Sequence, residues 1–221
     1  MNLKLDEKVR AETLEWCRAF IDHNCIFRTP GAVTPQLLHP DGRTNTWQFY
    51  LQVATLDQGF CARIGLLFWD RFNSAPAGER FQICGCETGG VPLACALQAS
   101  AYSSGFRVNV FSIKKAPKKY GLKNWLEGRA FEDSPVMLVD DVIGGGDTLQ
   151  AQAKRLVEFG FTLYPQAFAI ASCKHDKIAS IKLGNQIVEP VFLYGPDDFA
   201  RSEGKYAARY NRPPRFGGTI V

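Results

Sequence analysis

The sequence predicts an α/β protein with a mostly parallel central sheet that is flanked by helices on both faces. Strand-like apolar runs alternate with helix-like periodic segments from residue 80 onward. Two of these runs end in glycine-rich turns that lead into a helix. The chain has 221 residues and is 46% hydrophobic, which suits one domain with a full core over residues 1–221.

The N-terminal part is predicted to be helical at both ends and irregular between them. Residues 8–22 and 56–72 each place apolar side chains on one helical face. Prolines and glycines interrupt residues 24–55, where only the segment TWQFYLQVA is typical of a strand.

The rest of the chain alternates strongly. Predicted strands are RFQICG, FRVNVFSI, PVMLVDD, QAFAIAS and QIVEPVFLY. The helices between them are VPLACALQASAYSSG and DTLQAQAKRLVEFG, which end at Gly105 and Gly160. Pro190 has no N–H to donate, so it places the last strand at an edge of the sheet.

Composition limits the functional class. The net charge of +4 does not by itself indicate a nucleic-acid partner. No stretch is apolar enough to span a membrane, and the N-terminal segment lacks an apolar signal core, so we expect a cytoplasmic protein. Seven cysteines without a CxxC pair indicate reduced thiols that are mostly buried.

The stretch VMLVDDVIGGGDTL, residues 136–149, carries the strongest functional signal. A buried strand leads into Asp140 and Asp141, and ligands of such sheets bind at the carboxyl ends of strands. The turn that follows suits a phosphate, because glycines permit close approach and a helix N-terminus offers free N–H groups. Its residues are Gly144, Gly145, Gly146, Asp147 and Thr148. Asp147 would point away from the phosphate and cap the helix. A ribose 5-phosphate fits this arrangement.

Two other interpretations of this stretch, a Walker-B strand and a solvated turn, fit the sequence less well. A Walker-B strand would need a GxxxxGK[ST] loop, but the chain's only Gly-Lys pair, Gly204-Lys205, precedes a tyrosine. A solvated turn would explain an acid pair alone, but not the apolar run and the glycine loop around it.

Two further segments can be interpreted either as ordinary structural elements or as functional ones. The segment GCETGGVPLA, residues 85–94, is either an ordinary strand-to-helix turn or a second anion site. The lysine-rich residues 112–128 form either a solvated loop or a mobile loop that neutralises an anion and excludes water. Stacking partners for a nucleic acid are few there, namely Tyr120 and Trp125, so nucleic acid is not the expected partner.

Residues 136–148 resemble the phosphoribosyl pyrophosphate signature of the type I phosphoribosyltransferases. The resemblance implies that family's fold, with a small N-terminal hood from about residues 1–55. Gly144 and Gly145 depart from the pattern, which usually has Thr, Ser or Ala there. The lost side-chain donors would leave the phosphate dependent on backbone N–H groups.

The other two segments are similar to parts of the same family. Residues 85–94 resemble its pyrophosphate loop, although Gly89 stands where many members have Lys or Arg. Residues 112–128 resemble the loop of orotate phosphoribosyltransferases, with Tyr120 in place of the usual histidine. In that family the loop reaches the neighbouring subunit, which implies a homodimer. The residues matched to pyrophosphate contacts are Glu87, Thr88, Gly89, Gly90, Lys114, Lys115 and the loop lysine Lys118.

The resemblance implies transfer of the 5-phosphoribosyl group from phosphoribosyl pyrophosphate to a nucleobase, with orotate favoured. Asp140 and Asp141 would hold the ribose hydroxyls, favour positive charge on the sugar, and contact Mg²⁺ through substrate or water. Lys174 stands where orotate enzymes usually carry an arginine for the carboxylate, and His39 or Arg43 could also serve the base.

Two alternatives remain open from the sequence. The enzyme could accept another base, because the pocket residues carry the weakest part of the resemblance. The fold could also serve a nucleotide-sensing, RNA-binding regulator, as the glycines at positions 89, 144 and 145 and the missing loop histidine suggest.

Overall fold

The computed structural model describes residues 4–28, 37–38, 44–45, 47–72, 81–105, 107–116, 124–174 and 179–199. The helices are α1 (Glu7–Asn24), α2 (Gln52–Thr55), α3 (Gln58–Phe72), α4 (Gly90–Ser103) and α5 (Asp147–Glu158), with a 3₁₀ turn at Pro196–Asp198. The N-terminal strands are β1 (Ile26–Arg28), β2 (Leu37–Leu38), β3 (Thr44–Asn45) and β4 (Trp47–Phe49). The later strands are β5 (Gln82–Cys86), β6 (Val110–Ile113), β7 (Leu126–Gly128), β8 (Val136–Ile143), β9 (Gln166–Ser172), β10 (Ile181–Leu183) and β11 (Gln186–Tyr194).

The central sheet has seven strands in the order β10-β11-β9-β8-β5-β6-β7. The four inner pairs are parallel. The two outer pairs, β10 with β11 and β6 with β7, are antiparallel. The prediction of a mostly parallel sheet is therefore confirmed.

Helices cover both faces of this sheet, as alternation along β8 shows. Met137 and Val139 pack into one apolar cluster with residues of α1, α3 and α4. Val136 and Leu138 point the other way, into a cluster that contains the buried side of α5. Successive side chains of a strand face opposite sides, so a fully buried strand needs an apolar layer on each.

A buried carboxylate joins α1 to α3. Asp70 accepts hydrogen bonds from Arg10 Nε at 2.7 Å and from the Leu5 N–H at 2.8 Å. The Tyr194 hydroxyl, at the end of β11, donates to the Leu14 carbonyl of α1 at 2.8 Å. Both contacts fix α1 to the body of the domain. Within the described ranges, no helix combines the length and the apolar character needed to cross a membrane.

Two sequence predictions about strands are wrong. The predicted strand over residues 46–54 extends too far, because β4 ends at Phe49 and α2 begins at Gln52. The strand with Pro190 is not at the edge, since β10 pairs with its first residues. Glu189 donates its N–H toward β9, so the nitrogen of Pro190 points to the opposite side, beyond the end of β10. Proline is tolerated where no partner strand needs its N–H.

Candidate active site

The order in which strands are added to the sheet reverses between β5 and β8, which are neighbours at its centre. After β5 the chain passes through α4 to β6 on one side, and after β8 it passes through α5 to β9 on the other. Open α/β sheets bind ligands in the crevice at such a switch point, outside the carboxyl ends of the strands. The two glycine-rich turns found in the sequence both lie at this point.

The acid pair is part of β8, which continues past it to Ile143. Asp140 Oδ1 accepts the N–H of Asp141 at 2.9 Å, and Asp141 Oδ1 accepts the N–H of Val142 at the same distance. Burial, and then the charge of Asp141, raises the pKa of Asp140 to about 8. Burial also raises the pKa of Asp141. Two buried carboxylates so close together are stabilised by a shared proton, by a cation or by hydroxyl groups that donate to them.

The buried carboxylate of Asp141 lies close to the backbone of Gly89. A Cβ on Gly89 would lie 2.1 Å from Asp141 Oδ1, which is far inside contact distance. A lysine or arginine at this position would require Asp141 to move. At Gly90, a Cβ would lie 2.2 Å from the carbonyl oxygen of Val139, so α4 begins in direct contact with the backbone of β8.

The turn before α5 needs only one of its three glycines for its backbone shape. Gly146 has φ 88° and stands at the N-cap of α5, without a side-chain cap. A Cβ on Gly144 would meet nothing within 4 Å. Asp147 is the first residue of α5 rather than its cap, so the predicted capping role is wrong. The first-turn N–H groups of α5, including that of the exposed Thr148, have no acceptor within the helix, as at known anion sites.

The two neighbouring lysines at the end of β6 have different surroundings. Lys114 is buried, and its Nζ lies 2.5 Å from Glu127 Oε1 on β7. Lys115 is exposed, and its charge counteracts the rise in the pKa of both Asp140 and Asp141. Both were predicted to contact pyrophosphate, but only the charge of Lys115 is directed to the acid pair.

Other predicted residues lie at the same edge of the sheet or outside the described part. Lys174 follows β9 and is exposed, and its N–H donates to Ser172 Oγ at 3.1 Å. The Glu87–Thr88 peptide bond, in the turn after β5, is cis. Predicted residues outside the described ranges are Lys118, Tyr120, His39 and Arg43.

Sequence reasoning missed the side chains that hold the base of the lysine-rich segment. Glu127 pairs with Lys114, and Arg155 of α5 lies over the Trp125 ring at 4.3 Å from its centroid. Gln152 is buried in α5, and its Nε2 approaches the carbonyl of Ile113 at 3.4 Å. A three-residue strand such as β7 has too short a pattern to reveal these contacts.

The cysteines are free thiols, and most are withdrawn from solvent. Burial raises the pKa of the Cys86 thiol well above its usual value, and the nearby acid pair acts in the same direction. The buried thiols are Cys17, Cys25, Cys84 and Cys86, the half-buried ones Cys61 and Cys173, and Cys95 is exposed. The prediction that most of the thiols are buried is confirmed.

No family model matches the sequence. The chain is 26% identical over 119 residues to the orotate phosphoribosyltransferase of Methanocaldococcus jannaschii, which covers 54% of this chain and 62% of that protein. It is 33% identical over 122 residues to the orotate phosphoribosyltransferase of Tropheryma whipplei strain Twist, which covers 55% and 56% respectively. The chain thus spans little more than half the length of these curated relatives.

Solved structures match over most of the chain. A phosphoribosyltransferase from Corynebacterium diphtheriae has a TM-score of 0.64 at 17% identity, covering 86% of this chain and 98% of that one. An adenine phosphoribosyl transferase from Trypanosoma brucei, in complex with AMP, pyrophosphate and ribose-5-phosphate, has a TM-score of 0.56 at 17% identity, covering 100% and 92%.

The fold is therefore that of the type I phosphoribosyltransferases, as the sequence predicted. Within that class, the curated relatives are orotate phosphoribosyltransferases, so the resemblance seen in the sequence is confirmed.

Proposed function

We propose that the protein transfers the 5-phosphoribosyl group from phosphoribosyl pyrophosphate to a ring nitrogen of a nucleobase and releases pyrophosphate. One observation carries this proposal. The acid pair of β8 and the uncapped N-terminus of α5 lie together at the switch point of the sheet, beside the glycine turn after β5. In this arrangement the carboxylates would bind the sugar, and the two turns beside them would bind the anionic groups.

The N-terminus of α5 would hold the 5-phosphate. Its first-turn N–H groups have no partner within the helix, and Gly146 turns the chain so that they can face a ligand. Gly144 and Gly145 contribute no side-chain donors, so affinity would come from backbone N–H groups and the helix dipole.

The acid pair would act on the sugar. Asp140 and Asp141 would accept hydrogen bonds from the ribose hydroxyls, and their negative charge would favour the positive charge that develops as the bond to pyrophosphate breaks. Lys115 would stabilise the leaving pyrophosphate. Catalysis would come from positioning and electrostatics, without a covalent intermediate on the protein.

The acid pair would also suit a Mg²⁺ ion that is bound jointly by the protein and the substrate. Among the described residues, no group of three or more His, Cys, Asp or Glu could hold an ion unaided. Mg²⁺ usually binds one or two carboxylates together with substrate oxygens, so Asp140 and Asp141 would hold it in company with the substrate, directly or through water. When bound, the ion would offset charge on the pyrophosphate.

Orotate is the favoured base. The support is the naming of the curated relatives and the place of Lys174 after β9, at the same edge of the sheet as the acid pair. The fold itself does not select the base, because a neighbour of the same fold acts on adenine according to its name.

The test is pyrophosphate release from phosphoribosyl pyrophosphate and Mg²⁺ with a panel of bases, orotate first. The Asp140→Asn/Asp141→Asn variant should lose release, and Glu132→Ala, an exposed acid outside the site, serves as the matched control. Release with another base only would keep the class and exclude orotate. Binding of phosphoribosyl pyrophosphate without release for any base would contradict the proposed transfer and favour a sensor.

We further propose a homodimer in which Lys118 of one subunit serves its neighbour's site. Subunit mixing tests this arrangement. Lys118→Ala and Asp140→Asn/Asp141→Asn are each expected to be impaired alone. Mixed, they would form heterodimers with one intact site, and activity should recover. Failure to recover, with mixed dimers demonstrated, would contradict the shared site.

A further inference from the structure

Glu87 is poorly explained as a ligand of pyrophosphate. Its carboxylate carries the same sign of charge as the anion it was predicted to contact. Its hydrogen-bonding groups are also engaged within the protein. The N–H of Glu87 donates to the carbonyl of Ile113 at 3.2 Å, and Glu87 Oε2 accepts the N–H of Lys115 at 3.1 Å.

These two hydrogen bonds extend the pairing of β5 with β6 beyond the strands themselves. The parallel register ends at Cys86 opposite Ile113. Glu87 continues this pairing by one residue. Its N–H bonds Ile113 and its side chain bonds Lys115, so that the two hydrogen bonds bracket Lys114. Between them, the N–H of Lys114 donates to the carbonyl of Trp125 at 2.9 Å on the opposite side. The main chain at 114–115 is therefore held from both sides.

The fixed backbone decides which lysine faces which neighbour. Successive side chains of an extended chain point to opposite sides. Lys114 reaches Glu127 and is buried there. Lys115 then lies on the opposite face of the sheet, which is the face of Ile113 and Leu138. Alternation along β8 places Asp140 on this face too, and the charge of Lys115 opposes the rise in the pKa of Asp140. A freed main chain at this point would allow the exposed Lys115 to leave the acid pair.

We propose that Glu87 is a positioning residue, which accepts the main-chain N–H of Lys115 and thereby keeps the Lys115 side chain on the face of the sheet that Asp140 shares. The contribution to catalysis rests on the proposed transferase function. The hydrogen bond itself does not, so the two parts are tested separately.

The first experiment measures hydrogen exchange of the Lys115 amide by NMR. Glu87→Ala should lower the protection of this amide about tenfold or more, because it loses its only acceptor among the described contacts. Glu87→Gln retains an oxygen at the same reach and should restore most of the protection. Unchanged protection in Glu87→Ala, with the fold intact by thermal unfolding, would overturn the proposal whether or not the protein is a transferase.

The second experiment is a double-mutant cycle on pyrophosphate release. Glu87→Ala and Lys115→Ala should each lower kcat roughly tenfold to a hundredfold, with a smaller change in the KM for phosphoribosyl pyrophosphate. The double variant should be no worse than Lys115→Ala, because both act through one ammonium. Glu87→Gln should recover most of the loss.

Two kinetic outcomes would overturn the positioning role. Additive losses in the double variant would mean that Glu87 acts independently of Lys115. A Gln variant as impaired as Ala, with its Lys115 amide still protected, would mean that the carboxylate charge itself acts on ligand or metal. If the wild-type protein releases no pyrophosphate with any base, the proposed function fails, while the exchange measurement still decides whether Glu87 holds Lys115.

Discussion

Replacing Gly90 by alanine should loosen the contact between α4 and β8, directly below the acid pair. The added Cβ would lie 2.2 Å from the carbonyl oxygen of Val139, 3.1 Å from its carbonyl carbon and 3.2 Å from the Cα of Asp140. All three are backbone atoms, so no change of rotamer relieves the overlap. The helix or the strand must shift instead.

The size of the effect follows from these distances. Ordinary contact begins at 3.4 Å, so the atoms must separate by 3.4 − 2.2 = 1.2 Å. Overpacking of this kind costs about 1–3 kcal/mol. Alanine regains less than about 1 kcal/mol of helix propensity, because Gly90 is the first residue of α4. We expect a net loss of about 2 kcal/mol in the free energy of unfolding, which lowers Tm by roughly 4–8 °C for a chain of this size.

Thermal unfolding followed by circular dichroism measures this loss. Gly144→Ala is the matched control, because its Cβ would meet nothing within 4 Å and the residue does not have positive φ. Its Tm should stay within about 1 °C of wild type. Equal Tm values for the two variants would refute the argument that α4 and β8 are in direct backbone contact at Gly90.

Three further predictions follow from the environments of single side chains. The pKa of Asp140 is raised from 3.8 to about 8, so its native state favours the proton and wild-type stability falls as the pH rises between these values. In metal-free buffer, the Tm of Asp140→Asn should therefore gain on wild type from about pH 4 to about pH 8, and a constant difference would contradict the shift. Gln82 is buried at the opposite ends of the strands, where its side chain hydrogen-bonds the carbonyls of Phe131 and Ser134, the N–H of Phe131 and the side chain of Asn109. Gln82→Met should therefore lower the free energy of unfolding in denaturant by about 3 kcal/mol, without changing the KM of the proposed reaction. Lys115→Met should slow pyrophosphate release by roughly tenfold or more, whereas Lys114→Met should mainly lower Tm, and the reverse ranking would contradict the geometry.

Local patterns were sufficient to predict the central elements. β9 and β11 have the predicted bounds, and β8 with α5 follows from an apolar run, an acid pair and a glycine turn. A candidate site could be proposed for the same reason, because carboxyl ends of parallel strands converge at one edge of a sheet. Strand partners are long-range information, and the sequence does not display them. Thus the placement of Pro190 depended on where β10 ends, which no local pattern reveals.

The same limitation applies to individual site residues. Lys114 and Lys115 are neighbouring residues of the same type, so the sequence alone does not distinguish them. The antiparallel pairing of β6 with β7 buries Lys114 and gives it Glu127 as an ion-pair partner. Asp141 comes from a distant part of the chain and lies against Gly89, a contact that the local sequence around Gly89 does not reveal. Lys118 lies outside the described residues, so its role stays a prediction.

Because β5 pairs with β8, a ligand that contacts the turns after both strands can bind only after the sheet has formed. The turn after β5 and the turn after β8 belong to chain segments that are far apart in sequence, and closing the chain between them costs entropy before any contact is gained. Neither half of the sheet alone contains both turns. A ligand that contacts both would bind only molecules in which the halves have joined, and would raise their unfolding free energy in proportion to the logarithm of its concentration.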